Sequence, residues 1–446
     1  MKDLKQIEQY TSYTKYKDSG IEWLGKIPEH WKVSRIEYVA NKTLNSIDTK
    51  DMKGKELFYY DIPTVQSVND GRLENGDNIE SNKYKLKGGE VLISKLNPRK
   101  KTVVLTEKKK QDIVCSTEFV PFYPKKIMGK YLYYILSNSK LADYYNSFVK
   151  SATNSHQRVE PAIISKTKIP VPPLDEQRLI ADFLDYKTSQ IDAIIKEKEQ
   201  LIEHLQEYRQ AIINEAVTKG LSPETAKMKD SGVEWIGEIP EHWGIVKLKY
   251  IGEAIIGLTY APTDVVSESE KGNLVLRSSN IRDGKIVFEN NVFVDKIIPD
   301  KLKTRAGDIL ICSRNGSREL IGKCALIDRD SEGLTFGAFM TVFRSQYNKF
   351  LYYVFQSQLF KAQIGSFLTS TINQLTIGNL YSFPIALPDK QEQEDIAEYL
   401  TKKTTEIDIL IEDQRTVINK LKEYRQSLIY EAVTGKIDVR GFQKGE

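Results

Sequence analysis

The chain has 446 residues, of which 40% are hydrophobic and 28% charged, and its formal net charge is +4 at pH 7. This length allows two or more domains with cores of their own. No apolar run approaches the ~18–20 residues of a membrane helix, and no apolar signal core follows Met1. The three cysteines (Cys115, Cys312 and Cys324) lack metal-like spacing, so we expect a reduced, cytoplasmic protein without a bound metal.

The first recognisable element is a motif that the chain uses twice. Residues 17–31 read Lys-Asp-Ser-Gly-Ile-Glu-Trp-Leu-Gly-Lys-Ile-Pro-Glu-His-Trp, and residues 229–243 repeat this run with three substitutions. A second pair follows the same rule, because Glu-Tyr-Arg-Gln at 207–210 and Glu-Ala-Val-Thr at 215–218 recur at 423–426 and 431–434. The chain is therefore one unit written twice, which predicts a pseudo-two-fold molecule.

Each half opens with a mixed region of strands and helices. Short β-like runs such as 90–94 and 308–312 are bounded by turn residues, and the turns at 69–71 and 282–284 each precede a strand-like run. The segments 130–136 and 349–355 match one another and are typical of a buried helix. The spacing between the copies drifts along these regions, which indicates a duplicated framework with diverged loops.

A long helical pattern follows each mixed region. After Pro173 and Pro388 the chain runs without Gly or Pro through apolar positions spaced by three and four. The positions expected to form the seam are Ile180, Leu184, Ile191, Ile194, Leu201, Leu205, Tyr208 and Ile212, with their counterparts 216 residues later. A helix of this length cannot cover its own apolar stripe, so we expect the two helices to pack as an antiparallel coiled coil.

These patterns give the predicted architecture. We predict an α+β protein with two pseudo-two-fold-related globular domains, separated by two long antiparallel coiled-coil helices. The predicted boundaries are residues 1–173 for the first domain, 174–219 for the first helix, 220–389 for the second domain, and 390–446 for the second helix and the C-terminal tail.

Charge is distributed in the same way in both halves. Residues 83–110 carry ten basic side chains and two acidic ones, and residues 301–329 carry seven basic and three acidic. The long helices are acidic, with ten carboxylates in each of 174–217 and 390–433. Positive charge at matching places in the two mixed regions indicates where a polyanion docks. Solvated surface lysines are the alternative for either stretch alone.

No catalytic constellation is visible in the sequence. Residues 316–323 resemble a phosphate loop but have one residue too many and precede Cys324 instead of Ser or Thr. Two of the four histidines, His30 and His242, belong to the repeated Glu-His-Trp, where a packing role is favoured over catalysis. We therefore predict a binding protein with no catalytic residues and no cofactor of its own.

The repeated opening motif resembles that of the specificity subunits of type I restriction–modification systems. The Ile-Pro-x-Pro-Pro-Leu-x-Glu-Gln run at 169–177 and the Glu-Tyr-Arg-Gln motif resemble the same family, and the similarity covers nearly the whole chain. Residues 386–393 depart from it, because they keep only one proline and the Glu-Gln. The resemblance implies two target-recognition domains, each reading half of a split DNA sequence, with the helical pair as spacer and docking surface. It implies as partners double-stranded DNA, two methyltransferase subunits and restriction/translocase subunits that carry out the chemistry.

Base-reading residues are expected in polar loops that follow matching strands. Arg and Asn suit bidentate contacts with guanine and adenine, while the basic stretches as a whole are expected to bind phosphate. The candidates in the first half are Lys95, Asn97, Arg99, Lys100 and Lys101, with Gln66, Ser67 and Asn69 in an equivalent turn. The candidates in the second half are Arg314, Asn315, Ser317 and Arg318, with Arg277, Ser279, Asn280 and Arg282 in the turn.

Two other functions stay open from the sequence. The chain could serve a methylation-only or fused restriction system with the same reading domains and different partners. It could also be a coiled-coil scaffold that binds protein and no DNA, although the basic, diverged loops argue against this. Because the loops of the two halves differ, a DNA-reading protein of this kind is expected to recognise an asymmetric bipartite target.

Overall fold

A computed structural model describes residues 10–149, 157–267, 272–367 and 373–443. The chain forms two compact units: Met1–Lys198 together with Thr416–Glu446, and Glu199–Arg415. Each long helix contributes one part to each unit. In the described part of the chain, no helix is both long enough and apolar enough to cross a membrane.

Among its described residues, the first unit combines thirteen short strands with six short helices and part of each long helix. Its strands are β1 (Tyr16–Asp18), β2 (Lys26–Pro28), β3 (Lys32–Arg35), β4 (Ala40–Lys42), β5 (Ser46–Ile47), β6 (Glu56–Tyr60), β7 (Arg72–Asn75), β8 (Lys83–Leu86), β9 (Val91–Ser94), β10 (Val103–Leu105), β11 (Asp112–Ser116), β12 (Phe119–Pro124) and β13 (Lys168–Val171). Its short helices are α1 (Ile36–Val39), α2 (Thr49–Met52), α3 (Ile62–Val68), α4 (Gly129–Leu136), α5 (Ser139–Asn146) and α6 (Pro161–Lys166).

The second unit repeats this plan with fewer helices. Its strands are β14 (Met228–Asp230), β15 (Glu238–Pro240), β16 (Gly244–Lys247), β17 (Glu253–Ile256), β18 (Val265–Val266), β19 (Asn273–Leu276), β20 (Ile281–Arg282), β21 (Lys285–Ile286), β22 (Phe293–Val294), β23 (Ile309–Cys312), β24 (Cys324–Leu326), β25 (Thr335–Phe336), β26 (Met340–Arg344) and β27 (Pro384–Leu387). Its helices are α8 (Asn348–Gln356), α9 (Gln358–Phe367) and α10 (Ile377–Ser382); the long helices are α7 (Leu174–Lys219) and α11 (Lys390–Val433).

Of the two larger sheets described in each unit, one is the same in both units and the other differs. The shared sheet is antiparallel, in the order β10-β9-β12-β4 in the first unit and β24-β23-β26-β17 in the second. The other sheet runs β5-β8-β11-β6-β7 in the first unit but β18-β22-β19-β25 in the second. In each of these, one strand pair is parallel, β11 with β6 and β19 with β25. The framework expected from the repeat is therefore present, and divergence extends beyond loops into this second sheet.

The long helices run antiparallel within each unit, as predicted. In the first unit the Arg425 guanidinium donates to both carboxylate oxygens of Asp192, at 2.8 and 3.1 Å. In the second unit Arg209 Nε donates to Asp408 Oδ1 at 3.0 Å. Arg209 and Arg425 are the same position of the repeated Glu-Tyr-Arg-Gln motif, so this motif joins each helix to the other.

The buried stripe of these helices differs from the predicted seam. Ile194, Leu201, Tyr208 and Leu410 are exposed, whereas Ile195, Ile411 and Ile418 are buried. Threonines, Thr188 and Thr404, are buried in the stripe and donate their hydroxyls to the carbonyls of Leu184 and Leu400. The buried positions keep the predicted seven-residue repeat, but at every second position of the seam the buried residue lies one place later than predicted. Pairs of adjacent apolar residues, such as Ile194-Ile195 and Leu410-Ile411, leave that choice open in the sequence.

The repeated Glu-His-Trp motif fixes the start of each long helix. In the first unit Glu176 accepts hydrogen bonds from Trp31 Nε1 at 2.8 Å and from Tyr13 Oη at 3.2 Å, and it contacts His30 Nε2 at 2.6 Å. In the second unit Glu392 contacts Trp243 and His242 in the same way. Both glutamates lie in the first helical turn, where negative charge is favoured by the helix dipole. The motif is therefore structural.

The glutamine after each glutamate is structural as well. Gln177 is buried, donates to the Pro172 carbonyl at 2.8 Å and accepts the backbone N–H of Met128 at 2.8 Å. Gln393 donates to the Pro388 carbonyl at 2.7 Å. The departure of residues 386–393 from the family pattern therefore leaves this contact intact.

Candidate nucleic-acid interface

The first group of candidates in the first unit follows strand β9. Lys95 and Asn97 are half-buried because this segment pairs with residues 157–159: the Asn97 N–H donates to the Gln157 carbonyl at 2.7 Å. Arg99 and Lys100 are exposed on a single 3-10 turn, Pro98–Lys100, which packs against α5. Asn97 and Lys101 flank this turn with φ values of 49° and 51°, the left-handed region that asparagine tolerates better than lysine.

Burial affects Lys101, the last residue of this group. Lys101 is half-buried, and this loss of hydration lowers the pKa of its ammonium group, while the Asp143 carboxylate acts in the opposite direction. Lys100, in contrast, is fully on the surface. A phosphate would therefore meet Lys100 more readily than Lys101.

The second group in this unit was predicted as a turn, and this prediction is wrong for two of its residues. Gln66 and Ser67 belong to helix α3, which Asp61 caps by accepting the Thr64 N–H at 2.7 Å, with proline in the first turn. Only Asn69 adopts the left-handed conformation, at the C-terminal cap. The turn that the sequence predicts at Asn69 is present, but it lies at the end of a helix.

These two groups lie together. Gln66 Nε2 donates to Thr102 Oγ1 at 2.7 Å, which joins α3 to the loop that carries the basic candidates. Gln66, Asn69, Lys100 and Lys101 line one open cleft of about 410 Å³. Ser67 lies outside the lining of this cleft and bonds the carbonyl of Thr64.

In the second unit the loop after β23 is built in an equivalent way. Asn315 Nδ2 donates to Ser278 Oγ at 3.1 Å, and Asn315 Oδ1 accepts the Ser317 N–H at 2.9 Å. The first bond joins this loop to the second candidate group, as Gln66 does in the first unit. Arg314, Ser317 and Arg318 are exposed, and Arg318 donates to the Gly365 carbonyl at 3.3 Å.

The second group of this unit requires a correction. Asn280 is 0% exposed, and its amide donates to the carbonyls of Val287 and Glu289 and to Asn291 Oδ1. Its own Oδ1 accepts the Arg277 N–H at 3.0 Å. A side chain that is fully buried and whose polar atoms all have partners inside the protein cannot reach a base edge, so Asn280 is a structural residue.

The two arginines near Asn280 already have partners. Arg277 donates to the Asn290 carbonyl at 2.7 Å. Arg282 forms a bidentate pair with Glu289, at 2.9 and 2.6 Å, and this hydrogen bonding raises the pKa of the guanidinium. Ser279 is exposed and stays a candidate. The Asp283-Gly284 turn after Arg282 closes a two-residue hairpin between β20 and β21, with both φ values positive, as type I′ turns require.

The register of the shared sheet aligns the two loops. Ser94 pairs with Phe119 and Cys312 pairs with Met340, so Asn97 and Asn315 occupy equivalent positions. Arg314 then corresponds to Leu96, and Phe339 corresponds to Glu118. The equivalent loops therefore share one asparagine and differ around it.

Sequence reasoning missed three residues of these surfaces: Thr102, Ser278 and Phe339. Thr102 and Ser278 are the partners of Gln66 and Asn315, and nothing in the sequence pattern distinguishes them from other hydroxyl residues. Phe339 is 57% exposed, yet it directly precedes strand β26, where an apolar residue reads as core. Its exposure follows from the turn before the strand.

Known proteins are similar to this chain over most of its length. The family model for the type I restriction modification DNA specificity domain matches residues 28–204 and again residues 240–420. Over 434 residues the chain is 28% identical to the type I restriction enzyme MjaVIII specificity subunit of Methanocaldococcus jannaschii, covering 93% of this chain and 95% of that protein. It is 24% identical over 438 residues to the EcoKI specificity subunit of Escherichia coli, covering 93% and 90%.

A solved structure supports the fold. A chain from work on complex assembly and conformational transition of the type I R-M system aligns with a TM-score of 0.71, at 18% sequence identity. The alignment covers 92% of this chain and 99% of that chain. The fold, with its repeated domains and long helices, is thus shared with a known structure.

Proposed function

The chain belongs to the type I restriction–modification DNA specificity family, and we propose that it reads an asymmetric, bipartite sequence in double-stranded DNA, one half-site with each repeated domain. One observation carries this proposal. In each unit a side-chain hydrogen bond, Gln66 to Thr102 or Asn315 to Ser278, joins two polar segments into a single surface. The framework below these surfaces is the same, but the side chains above it differ, and different side chains select different bases.

We assign base reading and phosphate binding to different residues. Asn97, Gln66, Asn69, Arg314, Asn315, Ser317 and Ser279 carry the polar groups proposed for base edges. Lys95, Arg99, Lys100, Lys101 and Arg318 are proposed as phosphate contacts, since ammonium and guanidinium groups supply the salt-dependent part of DNA affinity. Arg277 and Arg282 would contact DNA only if their present partners were exchanged.

The long helices are proposed as the docking surface for two methyltransferase subunits, with restriction/translocase subunits outside them. Support comes from their apolar side chains Ile194, Leu201, Tyr208, Ile409 and Leu410, which are exposed in this chain and suit a protein partner. Methyl transfer and cleavage would then belong to the partners, and this chain would be a non-catalytic, cytoplasmic subunit. The proposed domain limits are 1–173 and 220–389, where the long helices adjoin them.

The test of this proposal is the methylome of a host that carries the chain with its methyltransferase. We expect one methylated motif, split into two unlike halves by a gap of fixed length. A methylation-only system would give the same motif without cleavage of unmodified DNA. A continuous motif, or no motif together with no salt-dependent gel shift by the complex, would instead favour the protein-binding scaffold.

A second measurement separates phosphate contacts from base contacts. Lys100→Ala should weaken binding to all duplexes about equally and reduce the slope of log K against log salt by about 1, because one fewer counterion is released. Lys402→Ala, which removes an exposed lysine from the acidic helix α11, is the matched control and should leave the slope unchanged. An unaltered slope for Lys100→Ala would remove this residue from the interface.

A further inference from the structure

Arg314 differs from the other candidate arginines of the second unit in having unused donors. Arg277 and Arg318 donate to backbone carbonyls, and Arg282 pairs with Glu289. Among the residues that the structure describes, none accepts a hydrogen bond from the Arg314 guanidinium. The side chain is exposed to solvent. Its five N–H donors are thus available to a ligand.

The guanidinium is nevertheless held in place by an aromatic ring. It lies 5.1 Å from the ring centroid of Phe339, within the range of a cation–π contact. The backbone of Phe339 is itself fixed, because its carbonyl accepts three hydrogen bonds: from the backbone N–H groups of Ser313 and Arg314 and from Ser313 Oγ, each at 3.0 Å. The loop is tied on its other side, where the Leu375 N–H donates to the Ser313 carbonyl at 2.7 Å.

The first unit has no arginine over an aromatic ring at the equivalent position. Leu96 stands where the second unit has Arg314, and Glu118 stands where it has Phe339. The Glu118 carboxylate accepts a hydrogen bond from Arg158 at 2.7 Å, which closes this position with an internal ion pair. An arginine over an aromatic ring, without a hydrogen-bond acceptor among the described residues, is therefore a feature of the second unit at this position.

We propose that Phe339 is a specificity-positioning residue, which holds the planar Arg314 fork ready to donate to O6 and N7 of one guanine in the half-site read by the second unit. A guanidinium stacked on a ring loses rotational freedom before it binds, so a bidentate contact costs less side-chain entropy. Guanine presents two acceptors that match this fork in the major groove. The inference rests on the proposed function and extends it to one base and one supporting residue.

The test uses the complex of the full chain with its methyltransferase, and duplexes in which each base of the methylated motif is changed in turn. Arg314→Ala should relax the requirement for one guanine by roughly ten- to a hundredfold, in one half-site only. Phe339→Leu should relax the same position by roughly two- to fivefold, with non-specific affinity and salt slope unchanged. Phe339→Tyr, which keeps the ring face, should behave as the unaltered protein.

Tyr250→Leu is the matched control, because Lys249 lies 4.6 Å from the centroid of this exposed ring in the same unit, outside both candidate loops. It should leave every base requirement unchanged. The inference is overturned if Arg314→Ala relaxes a base other than guanine, or if Phe339→Leu leaves the discrimination unaltered or weakens all sequences alike. If the unaltered complex methylates no split motif, the proposed function itself is wrong. That outcome is distinct from a failure of the Arg314–Phe339 pairing.

Discussion

We expect Trp31→Ala to lower the free energy of unfolding of the first unit by about 3–5 kcal/mol, the range for removing a fully buried aromatic side chain. Trp31 is 0% exposed, and its ring packs edge-on against Tyr13 at 5.7 Å between centroids. Its indole N–H also donates to Glu176 at the start of α7. The substitution therefore leaves a cavity and removes one of the contacts that hold this carboxylate.

Hydrogen exchange followed by mass spectrometry can localise this loss. Amides of residues 10–40 and of the first turns of α7 should exchange faster, while those of the second unit should be unchanged. Trp31→Phe, which keeps a ring but lacks the N–H, should cost about 1.5–3 kcal/mol, the worth of a hydrogen bond to a charged group. Trp235→Ala is the control, since this tryptophan of the same repeat is 44% exposed. Equal losses at Trp31 and Trp235 would contradict the structural role given to the Glu-His-Trp motif.

Asn280→Ala should destabilise the second unit by about 2–4 kcal/mol, because it leaves partly buried backbone groups without partners at roughly 1–3 kcal/mol each. The Asn280 amide holds the carbonyls of Val287 and Glu289, and its oxygen holds the N–H of Arg277. Urea unfolding followed by far-ultraviolet circular dichroism measures the change.

DNA binding distinguishes this structural role from base reading. If Asn280 only supports the loop, Asn280→Ala should weaken binding to every duplex without changing which base is preferred. Ser279→Ala is the neighbouring control, because its side chain is exposed and its loss should cost less than about 0.5 kcal/mol of stability. A normal unfolding curve for Asn280→Ala combined with an altered base preference would restore Asn280 as a base reader.

Much of the fold follows from local sequence signals. The duplicated motifs specify two similar units, and the uninterrupted apolar spacing after Pro173 and Pro388 specifies the long helices Leu174–Lys219 and Lys390–Val433. These signals act within a few turns of chain, so they can be recognised without tertiary contacts. The exact seam could not, because neighbouring apolar residues such as Ile194 and Ile195 are both compatible with the repeat, and only packing selects which of them is buried.

The candidate site, like the fold, depends partly on local sequence signals and partly on tertiary contacts. Strand, turn and charge patterns are local, so they are enough to predict that polar, partly basic segments follow matching strands in each half. Which of these side chains reach the surface depends on tertiary contacts. Asn280 and Asn315 are both loop asparagines in the sequence. The Asn280 side chain is hydrogen-bonded within residues 287–291, whereas the Asn315 side chain donates to Ser278, 37 positions away. Hydrogen-bond partners that lie far apart in the chain are set by how the strands pack, and no local pattern encodes them.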